Sequence, residues 1–322
     1  MNPYVTARVP AQGHAVLALG AMNFGKRTPK ADAVRIIHRA LDGGIGLVDT
    51  ANAYNHGASE RIVGDALRDR RAAALVATKV GAGRISGQPE GLSRKRILAA
   101  CDESLGRLAL DAIDVYYLHL PDPGTPIEES LDALGTLLRA GKIRSWAVSN
   151  YASWQILELR AAAGEMGLPG PVASQVLYNP LVRQLDVEYF RFAARYPIHT
   201  TVYNPLAGGL LTGAHVKGGD APKGSRFAGN ALYRKRYWRD ALFDAVEDVR
   251  AVAEAEGMSL VDLVYAFALR HPGVDSVLIG PGSEAHLNAA LAAREREISP
   301  DGLVRLLGVY QELVGTDASY AR

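Results

Sequence analysis

The sequence predicts an α/β protein whose strands close into a (β/α)8 barrel of the TIM type. Eight short apolar runs alternate with segments of helical periodicity, and such runs are typical of strands buried on both faces in a parallel sheet. A closed barrel of eight strands is the economical arrangement because it leaves no sheet edge, whereas the rival, a doubly wound open sheet, leaves two. The 322 residues show no break in composition, so we expect a single domain over residues 1–322.

Apolar periodicity, with glycine and serine as stop and start signals, places the individual elements. Strands are predicted at 16–19, 47–49, 75–79, 115–119, 145–149, 174–177, 200–203 and 276–279. Helices are predicted at 31–42, 59–70, 93–108, 127–140, 153–165, 187–196, 237–256, 259–270, 283–293 and 302–314. Ser59 is expected to cap the second helix. The segment before Gly20 suits an N-terminal β-hairpin beneath the barrel, and residues 204–233 are expected to form a long loop.

Composition argues against several classes of function. The net charge is +2 with histidine neutral, so nothing favours a nucleic-acid or membrane partner. The one cysteine, Cys101, cannot form a disulfide within the chain and falls in an apolar helical pattern, which predicts an inert core residue in a reducing compartment. The N-terminus lacks a signal segment and no apolar run reaches membrane-spanning length. We therefore expect a cytoplasmic protein.

Four chemically useful side chains follow the ends of predicted strands. Asp49 ends the second strand and leads to Tyr54, Lys79 ends the third strand, and His119 ends the fourth. Each alone has an ordinary explanation: a loop cap, a packed aromatic residue, a lysine reaching solvent, or a satisfied core histidine. In an α/β barrel, however, catalytic groups converge at the C-terminal ends of the strands. Their occurrence together on three successive strands therefore favours a catalytic site.

These four groups suit proton donation to a carbonyl oxygen. A free tyrosine has a pKa of about 10, and a nearby ammonium such as that of Lys79 favours its charged form. Asp49 is placed to hold Lys79, and His119 to orient a carbonyl by hydrogen bonding. The reaction needs an electron source. No cluster of histidine or carboxylate residues has metal-ligand spacing, so we expect no metal and infer that a nicotinamide supplies hydride.

A nicotinamide dinucleotide must be bound here without the usual phosphate-binding fingerprint. The nearest match to G-x-G-x-x-G, at 81–87, has its third glycine one place late and no helix start behind it. The candidates are instead the glycine-rich loop 204–213 and the turn 280–283, because both follow late strands of the barrel. Arg226 is placed to hold a phosphate, although taken alone it reads as a solvated surface charge.

Several motifs resemble those of the aldo-keto reductases. They are D-T-A-x-x-Y at 49–54, the strand-end Lys79, L-H at 118–119, S-N-Y at 149–151 and Y-N-P-L-A-G-G-L-L-T-G at 203–213. The likeness extends from about Ala18 to the C-terminus. It implies an (α/β)8 barrel that binds NADPH without a Rossmann motif, in agreement with the fold predicted above.

The resemblance also implies roles for individual residues. Tyr54 is the expected proton donor, Lys79 lowers its pKa, Asp49 supports Lys79, and His119 orients the substrate carbonyl. Expected to contact the cofactor are Met22, Asp49, Ser149, Asn150, Gln175, Tyr203, Asn204, Pro205, Leu206, Gly208, Gly209, Leu210, Gly213, Arg226, Gly280, Gly282, Ser283 and His286.

Further motifs resemble the aflatoxin aldehyde reductase branch of that family. They are P-D-x-G-T-P at 121–126, R-F-x-G-N at 226–230, Y-R-x-R-Y-W at 233–238 and the C-terminal Y-A-R. The branch reduces succinic semialdehyde and dicarbonyl compounds, its members are typically dimers, and its substrate contacts map onto His119, Tyr233, Arg236 and Arg322. Where the family usually has Lys, Gln and Asn near the adenosine end of NADPH, this chain has Ala214, His286 and Ala290.

Two functions other than that of a reductase are also compatible with the sequence. Potassium-channel β subunits also resemble this family and keep a nicotinamide site while regulating a partner, so a weakly catalytic regulatory subunit is the alternative function. The sequence shows no added partner-binding segment that would favour it. An unrelated barrel such as a metal-dependent hydrolase is a third reading, for which the chain lacks ligands.

Overall fold

Eight parallel strands form a closed barrel in the structure, a computed structural model that describes residues 15–316 and 318–321. Each strand pairs with its neighbours in chain order, and the last pairs with the first. This arrangement confirms the predicted barrel and excludes the open sheet. Most of the segment predicted to form a hairpin, together with Arg322, lies outside the described residues.

The elements follow a strand-then-helix alternation. The strands are β1 (Val16–Gly20), β2 (Leu47–Asp49), β3 (Leu75–Val80), β4 (Val115–Leu118), β5 (Trp146–Ser149), β6 (Ala173–Leu177), β7 (His199–Tyr203) and β8 (Ser276–Ile279). The helices are α1 (Lys30–Asp42), α2 (Ala58–Leu67), α3 (Arg94–Leu108), α4 (Ile127–Arg139), α5 (Ser153–Glu165), α6 (Tyr189–Arg195), α7 (Ala231–Tyr237), α8 (Asp240–Ala255), α9 (Leu260–Leu269), α10 (Glu284–Ala292) and α11 (Pro300–Val314).

Two separate hydrophobic clusters lie on the two sides of the barrel wall. The larger fills the space between strands and helices. The smaller lies inside the barrel, where mostly small side chains surround Tyr117. Side chains alternate between the two sides along each strand. Lys79 therefore enters the barrel, whereas its neighbour Thr78 contacts α2 on the outside.

Three features differ from the predicted elements. Residues 84–89 form a small antiparallel hairpin, Arg84–Ile85 with Gln88–Pro89, at the place of the near-match to the dinucleotide fingerprint. The predicted loop 204–233 contains the short helix Ala207–Thr212 and the start of α7, whose N-cap is Asn230. Ser59 is not the cap of α2, which begins after Gly57. Its hydroxyl instead bonds to Thr50 Oγ1 and donates to the Ala21 carbonyl, each at 2.8 Å.

Candidate active site

A cavity of about 700 Å³ opens at the C-terminal ends of the barrel strands. Its floor includes strand-end residues from several strands, among them Gly20, Asp49, Ser149 and Gln175. The loops after β1, β7 and β8 form its walls. This is the end of the barrel at which such folds carry their chemistry, and the volume lies within the roughly 300–1,000 Å³ of typical ligand sites.

An ion pair lies buried beneath the cavity. The ammonium of Lys79 donates to Asp49 Oδ1 and, at 2.8 Å, to the Thr50 carbonyl, and both side chains are almost wholly excluded from solvent. The second carboxylate oxygen of Asp49 accepts from Gln175 Nε2 at 2.9 Å. A charge pair survives burial only when its remaining hydrogen-bonding positions are also satisfied. These bonds fix the Lys79 ammonium in one position.

Tyr54 begins a tight turn, Tyr54–Gly57, that places its ring between Lys79 and His119. The Lys79 ammonium lies 5.3 Å from the Tyr54 ring centre, and the His119 ring packs edge-on at 5.8 Å. The turn requires left-handed backbone at Asn55 and His56, with φ of 52° and 54°. Asn55 tolerates this conformation, and its side-chain amide donates to the carbonyls of Met22 and Phe24 at 3.1 and 2.7 Å. The β1–α1 loop therefore holds the turn that carries Tyr54.

Burial controls the protonation of all three groups. It raises the pKa of the Tyr54 phenol well above its usual value, and the Asp49 carboxylate raises it further. It lowers the pKa of Lys79, which the Asp49 carboxylate partly restores. It also lowers the pKa of His119 to about 3, with a further contribution from the Lys79 charge. At neutral pH the phenol therefore keeps its proton and the imidazole is neutral.

The net direction at Tyr54 differs from the expectation that Lys79 lowers its pKa. Two causes oppose the ammonium. Burial disfavours the phenolate, and Asp49 neutralises the positive charge of the lysine with which it pairs. In this structure Tyr54 is a protonated donor next to a charge that faces its ring, rather than a phenol with a low pKa.

A group of polar residues at and after the ends of β5, β6 and β7 forms part of the cavity floor. Ser149 Oγ donates to the Gln175 carbonyl at 2.9 Å. Asn150, in left-handed backbone with φ of 64°, donates to the His119 carbonyl at 2.9 Å and accepts from the Tyr203 hydroxyl at 2.8 Å. This part of the floor thus presents amide and hydroxyl groups beside the ring of Tyr203. All four predicted residues of this group line the cavity.

The glycine-rich loop after β7 lies along the cavity. Asn204, with φ of 62°, uses its side chain to accept from Gly208 N at 2.7 Å and to donate to the Tyr237 hydroxyl at 2.7 Å. Gly208 and Gly209 have φ of 73° and 105°, and a Cβ on Gly208 would lie 2.8 Å from the Tyr233 ring. Only glycine fits both the conformation and the space.

Most of the residues expected to contact a cofactor line the cavity, and three do not. Those that do are Met22, Asp49, Ser149, Asn150, Gln175, Tyr203, Asn204, Pro205, Leu206, Gly208, Gly209, Arg226, Gly280, Gly282 and His286. Leu210 turns into the hydrophobic core, and Gly213 ends the short helix against Arg250. Ser283 caps α10, where its hydroxyl accepts from His286 N at 3.3 Å.

The outer part of the cavity is basic. Tyr233 and Arg236, expected on the substrate side, both line it, and the guanidiniums of Arg226 and Arg236 lie 5.3 and 5.8 Å from the Tyr233 ring centre. The sequence reading missed Asn23 and Arg27, which also line the cavity. Their signal was available, because both belong to the loop that follows the first strand, and every loop at this end of a barrel reaches the site.

Residues 15–316 and 318–321 contain neither a cluster of metal ligands nor a membrane-spanning helix. Within those residues, no group of three or more His, Cys, Asp or Glu side chains is placed to hold a metal ion. In the same part of the chain, the helices are too short or too polar to cross a bilayer.

Comparison with known proteins agrees with the fold and the motifs. The family model described as "Aldo/keto reductase family" matches residues 16–310. The chain is 33% identical over 304 residues to the human "Aflatoxin B1 aldehyde reductase member 2", covering 89% of this chain and 83% of that protein. It is 31% identical to the human "Aldo-keto reductase family 7 member A3", covering 90% and 91%. It is also 32% identical to the Arabidopsis thaliana "Probable voltage-gated potassium channel subunit beta", covering 87% of each.

Proposed function

The chain belongs to the aldo/keto reductase family, and on that premise we propose that it reduces small aldehydes to alcohols with NADPH, using Tyr54 as the proton donor. One observation carries the proposal: Tyr54 lies between the buried Lys79–Asp49 pair and His119 at the floor of a cavity. That set of groups can deliver a proton to a carbonyl oxygen without a metal.

The residues of the cavity suit a nicotinamide dinucleotide. Its floor offers the amide and hydroxyl groups of Ser149, Asn150 and Gln175 to a carboxamide, and the ring of Tyr203 to a nicotinamide. The glycines of the β7 and β8 loops allow close approach of backbone to phosphates. Arginines supply positive charge in the same cavity. Bound there, a reduced nicotinamide supplies a hydride to the carbonyl carbon.

The protein side chains would manage the proton and the developing charge. As the carbonyl carbon gains hydride, negative charge grows on its oxygen, and the Tyr54 hydroxyl donates its proton to that oxygen. Tyr54 is left as a phenolate, which the Lys79 ammonium stabilises because it is already fixed on that side of the ring by Asp49 and Thr50. His119, as a neutral imidazole, holds the substrate oxygen near Tyr54 by hydrogen bonding. It is not an imidazolium at neutral pH and therefore does not act as the acid.

The basic outer wall favours aldehydes that carry a carboxylate or a second carbonyl. Arg236 and Tyr233 line the cavity beyond Tyr54, and a guanidinium is well suited to bidentate binding of a carboxylate. Succinic semialdehyde has this pattern. We expect Arg236→Ala to raise KM for succinic semialdehyde more than for an uncharged aldehyde of similar length.

Replacing Tyr54 tests the proposed chemistry. Tyr54→Phe removes the hydroxyl that donates the proton and keeps the ring, so we expect turnover of succinic semialdehyde to fall about 10²–10⁴-fold while NADPH binding is retained. NADPH consumption measured by absorbance reports turnover. The matched control is Tyr116→Phe. Tyr116 is a buried tyrosine of β4 on the outer side of the barrel wall, and its hydroxyl donates to the Ile97 carbonyl at 3.4 Å. Equal turnover by wild type and Tyr54→Phe would refute the role of Tyr54.

A regulatory subunit that senses the nicotinamide state is the second candidate, because a relative of comparable similarity is named a potassium-channel β subunit. The two functions differ in turnover. A regulatory subunit would bind NADPH tightly and show negligible reduction across a panel of aldehydes, dicarbonyls and carboxy-aldehydes. Multiple turnovers with any of them at rates of about 1 s⁻¹ or more would favour the reductase.

A further inference from the structure

Two arginines on separate loops lie close together in the cavity without a carboxylate partner. Arg226 follows the glycine-rich loop, and Arg27 belongs to the loop between β1 and α1. Neither forms an ion pair with an acidic side chain among residues 15–316 and 318–321. A guanidinium matches the geometry of a phosphate or carboxylate, so two of them in one cavity form a site suited to an anion.

Hydrogen bonds hold these two loops in place against the loop after β8. Arg226 Nη2 donates to Asn23 Oδ1 at 3.0 Å, and the amide of Asn23 donates to the Gly280 carbonyl at 3.0 Å. Thr28 Oγ1 donates to the Gly282 carbonyl at 3.3 Å. The β1–α1 loop is thus fastened at both of its ends to residues 280–282. Arg27 lies between these two attachments.

The positive charges of the Arg27 and Arg226 guanidiniums repel one another. Burial lowers the pKa of Arg27, and the neighbouring Arg226 charge lowers it further. Holding two like charges together in a partly buried site destabilises the ligand-free protein, and a doubly charged anion between them would remove that repulsion. A phosphate monoester is such an anion at neutral pH, whereas each pyrophosphate phosphorus of a dinucleotide carries a single charge.

Position in the cavity indicates which phosphate is bound. Tyr54 and His119 mark the end at which the nicotinamide must lie. Thr28, the residue after Arg27, is hydrogen-bonded to Gly282, which lies two residues before the start of α10, and His286 of that helix also lines the cavity. A dinucleotide with its nicotinamide near Tyr54 extends its adenosine ribose towards that end.

We propose that Arg27 and Arg226 form a two-arginine clamp for the 2′-phosphate of the cofactor, with Arg27 supplying positive charge that this chain lacks at Ala214. The proposal rests on the proposed NADPH-dependent function and makes Arg27 a determinant of NADPH over NADH. An arginine near the adenosine ribose is a general means of accepting a 2′-phosphate.

Binding of nucleotide fragments tests the clamp without catalysis. Titration calorimetry compares 2′,5′-ADP, which carries one phosphate at the 2′ and one at the 5′ position of the ribose, with 5′-ADP, which carries both phosphates at the 5′ position. We expect Arg27→Ala to weaken binding of 2′,5′-ADP about 10- to 100-fold and that of 5′-ADP less than about 3-fold, because charge-assisted hydrogen bonds to one phosphate are lost. Arg27→Gln repeats the test with a side chain of similar length, and thermal melting confirms that both variants fold.

Lys26→Ala is the matched control, since Lys26 is an exposed cation next to Arg27 that does not line the cavity. It removes the same charge from the same loop, and we expect less than about 3-fold change in 2′,5′-ADP affinity from loss of a screened surface charge. A loss equal to that of Arg27→Ala would show a general field effect and overturn the clamp.

Four further outcomes would also overturn it. Equal weakening of both nucleotides by Arg27→Ala would assign Arg27 to the 5′-phosphate that they share. Unchanged affinity for both nucleotides would remove Arg27 from the site. Wild-type protein that binds 2′,5′-ADP no better than 5′-ADP, yet reduces aldehydes with NADH, would refute the clamp and leave the reductase standing. Wild-type protein that binds no nicotinamide nucleotide would refute both proposals.

Discussion

His119 is buried, uncharged and adjacent to a lysine ammonium. The Nδ1 atom of this imidazole is buried without a hydrogen-bond partner among the described residues. Charging the ring would place a second cation beside Lys79 in a site almost closed to water. A neutral imidazole is therefore the form that the fold stabilises, and it suits a residue that orients a carbonyl.

The depressed pKa of His119 predicts a specific pH dependence of stability. The pKa is about 3 in the folded protein and 6.5 when the ring is unperturbed. The folded state therefore binds fewer protons than the unfolded state below pH 6.5, so stability is fully present above that pH and falls as the pH drops towards 3. We expect His119 to account for a loss of about 2 kcal/mol between pH 6.5 and 4.5.

Urea unfolding of wild type and His119→Asn across this range isolates that contribution. His199, whose pKa burial lowers to about 4, titrates in both proteins and cancels in the comparison. The free energy of unfolding should fall more steeply with acid in wild type. Parallel curves would show that His119 is not held neutral by the fold.

Individual site residues could be predicted from the sequence where a chemically reactive side chain stands at the end of a predicted strand. Asp49, Lys79 and His119 could be chosen because each ends an apolar run, and the run reveals the strand. Arg27 and Asn23 could not be chosen in the same way. They lie several residues beyond β1 in a loop with no periodicity, and their proximity to Arg226 depends on how the barrel closes β1 against β8.

Helix α2 joins the turn that carries Tyr54 to the strand that carries Lys79. Its Glu60 is fully buried and accepts from Thr78 Oγ1 at 2.6 Å and from Arg107 Nε at 2.5 Å. Thr78 immediately precedes Lys79 on β3, and Arg107 belongs to α3. One carboxylate therefore links three elements, and its charge also raises the pKa of Lys79.

Removing the charge of Glu60 should lower the free energy of unfolding by more than breaking an exposed ion pair would. Glu60→Gln leaves the partly buried guanidinium of Arg107 with only its longer ion pair to the exposed Glu103, at 3.7 Å, so we expect a loss of about 3 kcal/mol in the free energy of unfolding. The matched control on the same helix is Asp65→Asn, which breaks the exposed pair with Lys30 and should cost less than about 1 kcal/mol. Chemical denaturation measures both. Similar small losses in the two variants would mean that the buried pair contributes little.

Strands and helices could be predicted from the sequence where their apolar residues recur with a regular spacing. The barrel strands are short apolar runs, and Ser93 and Ser259 cap α3 and α9 where a serine precedes the pattern. Helix α7 was missed because it has only 7 residues, most of them basic or aromatic, and buries mainly Tyr233 and Tyr237. Tertiary contacts with the glycine-rich loop, rather than an apolar stripe, hold it in place.

Seven of the eight barrel strands, or the loops that follow them, line the cavity, so a ligand bound there should stabilise the molecule globally. Loops that are far apart in sequence but follow the neighbouring strands β7, β8 and β1 meet at the site, as the hydrogen bonds of Asn23 to Arg226 and Gly280 show. The closing pair, β1 with β8, lies directly beneath those loops. A cofactor that bridges them would oppose every opening that separates these two strands.

The single cysteine provides a reporter of such openings. Cys101 lies in α3 with its side chain in the core, and burial raises the pKa of its thiol to about 12, so the folded protein should resist thiol reagents at neutral pH. Labelling then requires an opening of the protein. If that opening is global, NADPH at 100 times its Kd should slow labelling by Ellman's reagent about 100-fold, because ligand-bound molecules do not open. The control is Tyr54→Phe, which should bind NADPH and show the same slowing. A labelling rate unaffected by saturating NADPH would show that α3 opens locally, independently of the barrel.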